Sequence, residues 1–214
     1  ILNPKGKLSD YDLLLLPKHD NFIAPNVCLF TGSIHAIKPQ AGNLSNDKWS
    51  QHVAVLIGNP DNNYWTRDWS KDLAVILSWG KKVIICGSPR LSENNINTIK
   101  ESLINRPVEL WLGADDGENP YQDLLQGASR FVVSSDSINM MNEALATGKP
   151  VSILAENCLT SNRHKAFIKS AEDHMTMLNS KPVNNQNWPD PIEEILACDK
   201  LQNLLNSPSS VNTG

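Results

Sequence analysis

Val53-Ala54-Val55-Leu56-Ile57-Gly58 is a run of five apolar residues that ends in glycine. Its length and β-branched content suit a strand that is buried on both faces. Comparable runs end at Gly87, Gly113, Ser134 and Leu154, and segments with apolar residues at helical spacing lie between them. Strands that alternate with helices are typical of a parallel sheet covered by helices on both faces. The sequence therefore predicts a Rossmann-like α/β domain with five parallel strands.

Start and stop signals indicate where the helices lie. Apolar residues at helical spacing predict helices over Ser92–Ile104 and Arg163–Leu178. Asn119 before Pro120 has the form of a helix start, with proline at the first helical position. A helix from Ser137 through Thr147 is predicted to stop at the following glycine.

Residues 1–45 do not close a core of their own. Asp12–Leu16 and Asn26–Phe30 are predicted strands joined by a loop too short for a crossover helix, and residues 32–47 have the composition of a linker. The chain also opens on Ile1 instead of methionine. We therefore expect these domains: 1–45, the end of a preceding domain with its linker; 46–180, the Rossmann-like domain; 181–206, a C-terminal helix (191–205) that packs back; and 207–214, a disordered tail.

Composition and charge exclude several classes of protein. Hydrophobic residues make up 40% and charged residues 20% of the chain, as in ordinary globular proteins. The net charge of −4 provides no positive field that would gather nucleic acid. Apolar runs such as Leu13–Leu16 and Val53–Ile57 are far shorter than the roughly 18 residues of a membrane span. We expect a cytoplasmic protein with no transmembrane segment and no nucleic-acid partner.

The four cysteines are Cys28, Cys86, Cys158 and Cys198, which are widely separated and form no C-x-x-C motif. We expect them to be reduced thiols, as is usual in the cytosol. No histidine lies near Cys86 in the sequence, so that thiol is not predicted to be a nucleophile.

Polar residues follow the predicted strands where parallel sheets bind ligands. In an open parallel sheet, ligands bind beyond the carboxyl ends of the strands. The loops at that edge hold six candidates, which are Gly58, Ser88, Arg90, Asn119, Asp136 and Ser137. The pattern predicts a ligand site, although the α/β topology alone would also place polar residues there.

The richest of these segments is Ser134–Pro150. A helix that opens near Ser137 points its free amides and the positive end of its dipole at the sheet edge, which suits a phosphate. Glu143 lies about 9 Å further along the axis, at about 1.5 Å per residue, on the same broad face as Asp136 and Asn139. A nucleoside diphosphate has that reach, with its ribose hydroxyls at the carboxylate. The structural alternative is that Asp136 and Ser137 cap the helix and that Glu143 is a solvated helix residue.

This segment resembles the elongated-mitochondria, or mitochondrial-fission-factor, family, whose bacterial members are often labelled nucleoside-diphosphate-sugar epimerases. The family pattern stands here as Asp136-Ser137, Met140, Glu143-Ala144 and Thr147-Gly148-Lys149-Pro150-Val151. Further matches are Gly117-Glu118-Asn119-Pro120-Tyr121, Pro17 with His19-Asp20, Asn26-Val27, and Thr31-Gly32 with His35. The resemblance extends from about Asp12 to about Met177.

That family resembles glycosyltransferases of the B type, in which two Rossmann-like domains face each other and the second holds the nucleotide sugar. The resemblance implies that residues 46 to about 180 are the donor-side domain. It implies glycosyl transfer from a nucleoside-diphosphate sugar to an unidentified acceptor, with no tightly bound cofactor. The residues expected to bind the donor are Gly58, Ser88, Arg90, Asn119, Asp136, Ser137, Asn139 and Glu143.

Two positions depart from the family pattern. Ser88-Pro89-Arg90 stands where Ser-Arg-Arg is common, so one guanidinium that could face a diphosphate is missing. Gly58-Asn59 stands where paired glycines are common, which makes close approach of the backbone to a ligand less assured.

A general base would have to come from the preceding domain, and the candidates here are His19, with Asp20 as its orienting group, and His35. The alternative is that they are ordinary polar residues of a turn. Two other functions stay open, sugar-nucleotide epimerisation and a non-catalytic adaptor role of the kind that plant relatives have in recruiting the division machinery. A homo-oligomer and peripheral membrane contact through the preceding domain also stay open.

Asp115, Asp116 and Glu118 form an acidic loop that could hold a divalent cation through oxygen ligands. The same residues are explained equally well as the cap of the helix that starts at Asn119. We predict no metal site.

Overall fold

The computed structural model describes residues 6–39, 48–183 and 187–206. It divides into two compact units: unit 1 comprises Ile1–His35 and Pro189–Gly214, and unit 2 comprises Ala36–Trp188. Half of the predicted linker (residues 40–47) and the predicted disordered tail (207–214) lie outside the described residues. The division into functional domains that the sequence suggests stays a prediction.

The strands of the described chain are β1 (Leu14–Pro17), β2 (Val27–Phe30), β3 (His52–Ile57), β4 (Lys82–Gly87), β5 (Val108–Trp111), β6 (Arg130–Ser134), β7 (Val151–Leu154) and β8 (Met175–Met177). The helices are α1 (Asn62–Arg67), α2 (Trp69–Ser78), α3 (Glu93–Ser102), α4 (Tyr121–Gly127), α5 (Ile138–Ala146), α6 (Asn162–Ser170), α7 (Pro191–Leu196) and α8 (Asp199–Asn206). Within the described residues, no helix is long and apolar enough to cross a membrane.

Unit 2 is built on one parallel sheet with the strand order β5-β4-β3-β6-β7-β8. The Rossmann-like fold predicted from the sequence is therefore confirmed, including all five predicted strands. The chain starts in the middle of the sheet at β3, builds outward to β5, and then returns to start again at β6. This order is that of the doubly wound dinucleotide-binding fold.

The sheet is buried on both faces. Along β3, Ala54 and Leu56 pack into the core on the α4–α6 side, and Val53, Val55 and Ile57 pack on the α1–α3 side. Alternate residues of a strand point to opposite faces, so a strand covered on both sides must be apolar throughout. This is the physical reason for the continuous apolar runs from which the fold was predicted.

The helix predicted over Arg163–Leu178 is wrong in its second half. Helix α6 ends at Ser170, and Met175–Met177 form β8, which pairs in parallel with β7 at the edge of the sheet. A strand of three residues is too short to show a period in the sequence. The helix predicted over 191–205 is likewise two helices, α7 and α8, which are separated by Ala197 and Cys198.

Unit 1 joins the two ends of the chain. Strands β1 and β2 pair in parallel, and their short connection holds only the 3-10 turn Lys18–Asp20. On α7, Glu194 accepts hydrogen bonds from the Thr31 N–H at 2.5 Å and from Lys18 Nζ at 2.7 Å. These contacts attach α7 to the end of β2.

A disulfide joins Cys28 on β2 to Cys198, whose Cα atoms are 6.2 Å apart. The prediction that all four cysteines are reduced thiols is therefore wrong for this pair, whereas Cys86 and Cys158 are free. The two bonded cysteines are 170 residues apart in the sequence. Local spacing cannot reveal such a pair, because it is the joining of the chain ends in unit 1 that brings them together.

Candidate functional site

Several site candidates of unit 2 lie where the chain changes direction within the sheet. Strands β3 and β6 are neighbours, but the chain leaves them toward opposite edges. A crevice forms beyond the carboxyl ends of strands at such a switch point, and it is where this fold holds its ligands. The residues that follow β3 and β6 are Gly58 and Asn59 on one side and Ser135–Ser137 on the other.

The Asp136 carboxylate connects the ends of these two strands. Its Oδ2 accepts a hydrogen bond from the Asn59 N–H at 2.7 Å, and its Oδ1 accepts one from the Ser134 hydroxyl at 2.6 Å. Ser134 Oγ in turn accepts the Gly58 N–H at 2.8 Å. Asp136 therefore links the loop after β3 to the loop after β6. The Asn59 N–H is occupied by this carboxylate.

Arg90 and Ser88 lie in the loop after β4. Arg90 Nη2 is 3.8 Å from Asp136 Oδ2, and its side chain is 59% exposed. The Ser88 hydroxyl accepts the Arg90 N–H at 3.3 Å, while the Ser88 N–H donates to the Ile57 carbonyl at 2.7 Å. An exposed guanidinium loosely paired with a carboxylate can reorient toward an added anion at small cost.

The amino end of α5 lies at the same switch point. Ser137 is the N-cap residue, and its side chain makes no capping hydrogen bond. The first backbone bond runs from Met141 N to Ser137 O at 3.1 Å, so the N–H groups of the preceding turn have no helical acceptor. Asn139 is exposed on this turn. The predicted helix start at Ser137 is thus present.

His164 is a residue of this site that the sequence did not reveal. It lies on the first turn of α6, and its Nε2 is 3.0 Å from the Asp136 carbonyl oxygen. The contact connects α6 to the turn between β6 and α5. His164 is separated from Asp136 in the sequence by α5 and β7, so no local pattern in the sequence indicates this contact.

Glu143 is held by Tyr121. The Tyr121 hydroxyl donates a hydrogen bond to Glu143 Oε2 at 2.5 Å. Burial, followed by the bond to Glu143, raises the pKa of Tyr121 far above its usual value. The phenol is therefore a hydrogen-bond donor at neutral pH. Tyr121 belongs to the Asn-Pro-Tyr block of the family pattern, which was the one signal that could have pointed to it.

Asn119 has a capping role in the structure. Its Oδ1 accepts the Tyr121 N–H at 3.0 Å at the start of α4. In the acidic loop before it, Asp116 Oδ2 accepts the Leu112 N–H at 2.7 Å. No group of three or more metal-ligating side chains occurs in the part of the chain that the structure describes.

The predicted bases, His19 and His35, both belong to unit 1. His19 is buried, and its Nε2 is 3.7 Å from Asp20 Oδ1. His35 is half-buried. In unit 2, burial raises the pKa of Cys86 to about 12, which makes this thiol a poor nucleophile at neutral pH.

Comparison with known proteins assigns the chain to a family. The family model of mitochondrial fission ELM1 matches residues 1–198. The chain belongs to the mitochondrial fission ELM1 family. A curated relative, mitochondrial fission protein ELM1 of Arabidopsis thaliana, is 27% identical over 198 aligned residues that cover 74% of this chain and 45% of the relative. This ELM1-family chain thus spans less than half the length of that relative.

Solved structures similar to this ELM1-family chain include glycosyltransferases and epimerases. One is Phytolacca americana UGT2 complexed with UDP-2fluoro-glucose and pterostilbene, at 13% identity and a TM-score of 0.43, covering 84% of this chain and 40% of that chain. Another is Methanocaldococcus jannaschii UDP-GlcNAc 2-epimerase in complex with UDP-GlcNAc and UDP, at 19% identity and a TM-score of 0.38, covering 68% of this chain and 45% of that chain.

Proposed function

We propose that unit 2 binds a nucleoside-diphosphate sugar at the switch point, and that the protein transfers the sugar to an acceptor. The observation that carries this proposal is the amino end of α5, which opens without a side-chain cap beside the ends of β3 and β6. No tightly bound cofactor is part of the proposal.

The diphosphate is proposed to bind the first-turn amides of α5. Backbone N–H groups and the helix dipole at a helix start both favour negative charge. Arg90 supplies a formal positive charge next to them, since its Nη2 lies 3.8 Å from Asp136 Oδ2. Because Asp136 already accepts hydrogen bonds from Asn59 and Ser134, its own charge is partly compensated where the phosphates would approach.

The ribose is proposed to bind Glu143. This side chain lies six residues after Ser137, or about 9 Å along α5 at about 1.5 Å per residue. Among the residues that the structure describes, no basic side chain pairs with Glu143, and Tyr121 is its hydrogen-bond partner. A carboxylate whose second oxygen is available accepts hydrogen bonds from vicinal hydroxyls well.

In the transfer step, the bond between the sugar and the diphosphate breaks and the acceptor oxygen bonds to the sugar. Negative charge then builds on the leaving diphosphate, where Arg90 and the α5 amides would stabilise it. A base must take the acceptor proton, and His19 and His35, the candidates that the sequence offers, remain a prediction for this role. Asp20 would orient His19, in view of the 3.7 Å approach of the two side chains.

A thermal-shift screen of nucleoside-diphosphate sugars tests the binding step. Ligand at about 100 times its dissociation constant stabilises a protein by about 2.7 kcal/mol, which is readily measured. We expect a shift with at least one nucleotide sugar, and then transfer of labelled sugar when an acceptor is present. Release of an altered sugar without any acceptor would indicate epimerisation instead.

Membership of the ELM1 family supports a second candidate function, a non-catalytic part in mitochondrial fission of the kind that the name of the Arabidopsis relative describes. Absence of a shift with every nucleotide sugar would favour this second function.

A further inference from the structure

We infer that Tyr121 is a positioning residue that fixes the Glu143 carboxylate and that, through the ribose contact proposed for Glu143, it makes the nucleotide site selective for ribose over deoxyribose. The inference rests on the nucleotide site proposed above. It concerns the contact between two neighbouring helices, α4 and α5, and it assigns a role to the tyrosine of the Asn-Pro-Tyr block.

The contact is short and links a neutral donor to a charged acceptor. The Tyr121 hydroxyl lies 2.5 Å from Glu143 Oε2, the distance expected of an O–H to carboxylate hydrogen bond. The pKa of Tyr121 is raised by burial and by this bond, so the phenol keeps its proton and donates it to Glu143.

Both side chains are themselves held in place. The start of α4 is fixed by Asn119, whose Oδ1 accepts the Tyr121 N–H at 3.0 Å. The Tyr121 ring packs against the core cluster that contains Met140, Met141 and Ala144 of α5. A half-buried glutamate on a helix otherwise populates several rotamers, and ordering a freely rotating side chain on binding lowers the affinity for the ligand.

The hydrogen bond occupies one oxygen of the carboxylate and leaves the other for a ligand. Glu143 Oε2 accepts the hydrogen bond from Tyr121. Within the described part of the chain, Glu143 Oε1 has no hydrogen-bond or ion-pair partner. The available oxygen can accept hydrogen bonds from the hydroxyls of a ribose. A ligand without these hydroxyls gains nothing from the ordering of Glu143.

The test compares Tyr121→Phe with the wild-type protein in calorimetric titrations. The probes are uridine diphosphate and 2′,3′-dideoxyuridine diphosphate, with the adenine and guanine pairs measured alongside. We expect wild type to bind the ribonucleotide at least tenfold more tightly than the dideoxy compound. In Tyr121→Phe, affinity for the ribonucleotide should fall about three- to tenfold, while affinity for the dideoxy compound stays unchanged.

Tyr64→Phe is the matched control. Tyr64 is also a buried tyrosine of unit 2, and its hydroxyl donates to a carboxylate, Asp72 Oδ2, at 3.0 Å. It packs in the core cluster on the opposite face of the sheet. Loss of this hydroxyl should lower stability without changing the ratio of ribonucleotide to dideoxynucleotide affinity. In the Glu143→Gln background, Tyr121→Phe should no longer change that ratio.

The inference is overturned if Tyr121→Phe weakens both nucleotides by the same factor, which indicates packing alone, or weakens neither. Wild-type protein that binds nucleotides without preferring ribose also overturns it, although nucleotide binding then stands. Absence of binding to every probe overturns both the inference and the proposed function.

Discussion

Gly58 and Asp136 are in such close contact that a Cβ atom on Gly58 would lie 2.3 Å from Asp136 Oδ2. The glycine at the end of β3 is therefore required by a carboxylate of the protein itself. This contact brings together the loops after β3 and β6, and the proposed phosphate site depends on it.

We predict that Gly58→Ala destabilises the protein by about 1–3 kcal/mol, the usual cost of forcing an extra carbon into a packed position. It should also displace Asp136 from the Asn59 N–H. Urea unfolding followed by tryptophan fluorescence measures the loss. Gly113→Ala is the matched control, since that glycine has an extended backbone and a Cβ there would meet nothing within 4 Å. Equal stability of the two variants would contradict the account of Gly58.

We predict that Arg90→Ala weakens binding of a nucleoside diphosphate by about 1.5–3 kcal/mol, the range for hydrogen bonds to charged groups. Binding of the bare nucleoside should be nearly unchanged, because the guanidinium is proposed to contact phosphate. Arg106→Ala serves as the control, since Arg106 is an exposed arginine outside the switch-point loops. Calorimetric titration with both ligands measures the difference. Equal losses with nucleoside and diphosphate would refute the role given to Arg90.

We predict that reduction of the Cys28–Cys198 disulfide destabilises unit 1 by about 2–4 kcal/mol, as for other bridges that close long loops. All six tryptophans lie within residues 36–188, so fluorescence reports on unit 2 alone. Hydrogen exchange at the backbone amides of β2 and α7 is therefore the measurement that reports on unit 1.

Exchange at these amides should become faster in Cys198→Ser and in reduced wild type. It should stay unchanged in Cys158→Ser, which alters a free cysteine. Unchanged protection of β2 after reduction would show that the bridge contributes nothing to unit 1.

The sequence was sufficient to predict the sheet of unit 2, because burial on both faces forces continuous apolar runs such as Val53–Ile57. It was insufficient for β8, whose three residues at the sheet edge show no period. The sequence also could not predict long-range contacts. Examples are the Cys28–Cys198 disulfide and the contact between His164 and Asp136, which depend on how distant segments come together in the folded chain.

At the candidate site, the positions of the loops were predictable, and the hydrogen-bond partners of their side chains were not. The loops at the carboxyl ends of the strands follow from the alternation of strands and helices, and the helix start at Ser137 follows from capping signals. That Asp136 would bond to Asn59, and that Tyr121 would hold Glu143, depends on how elements that are distant in the sequence pack together, and no single segment encodes this packing.

The measurement that tests the central claim most directly is a calorimetric titration of wild type and Glu143→Gln with a nucleoside and with its diphosphate. Glutamine keeps the shape of the side chain and removes its charge, so folding should be nearly unaffected. The account predicts that wild type binds the diphosphate more tightly than the nucleoside, and that the variant loses about 1.5–3 kcal/mol with both ligands. Equal affinities of wild type and variant for both ligands would contradict the assignment of this edge of the sheet as a nucleotide-sugar site.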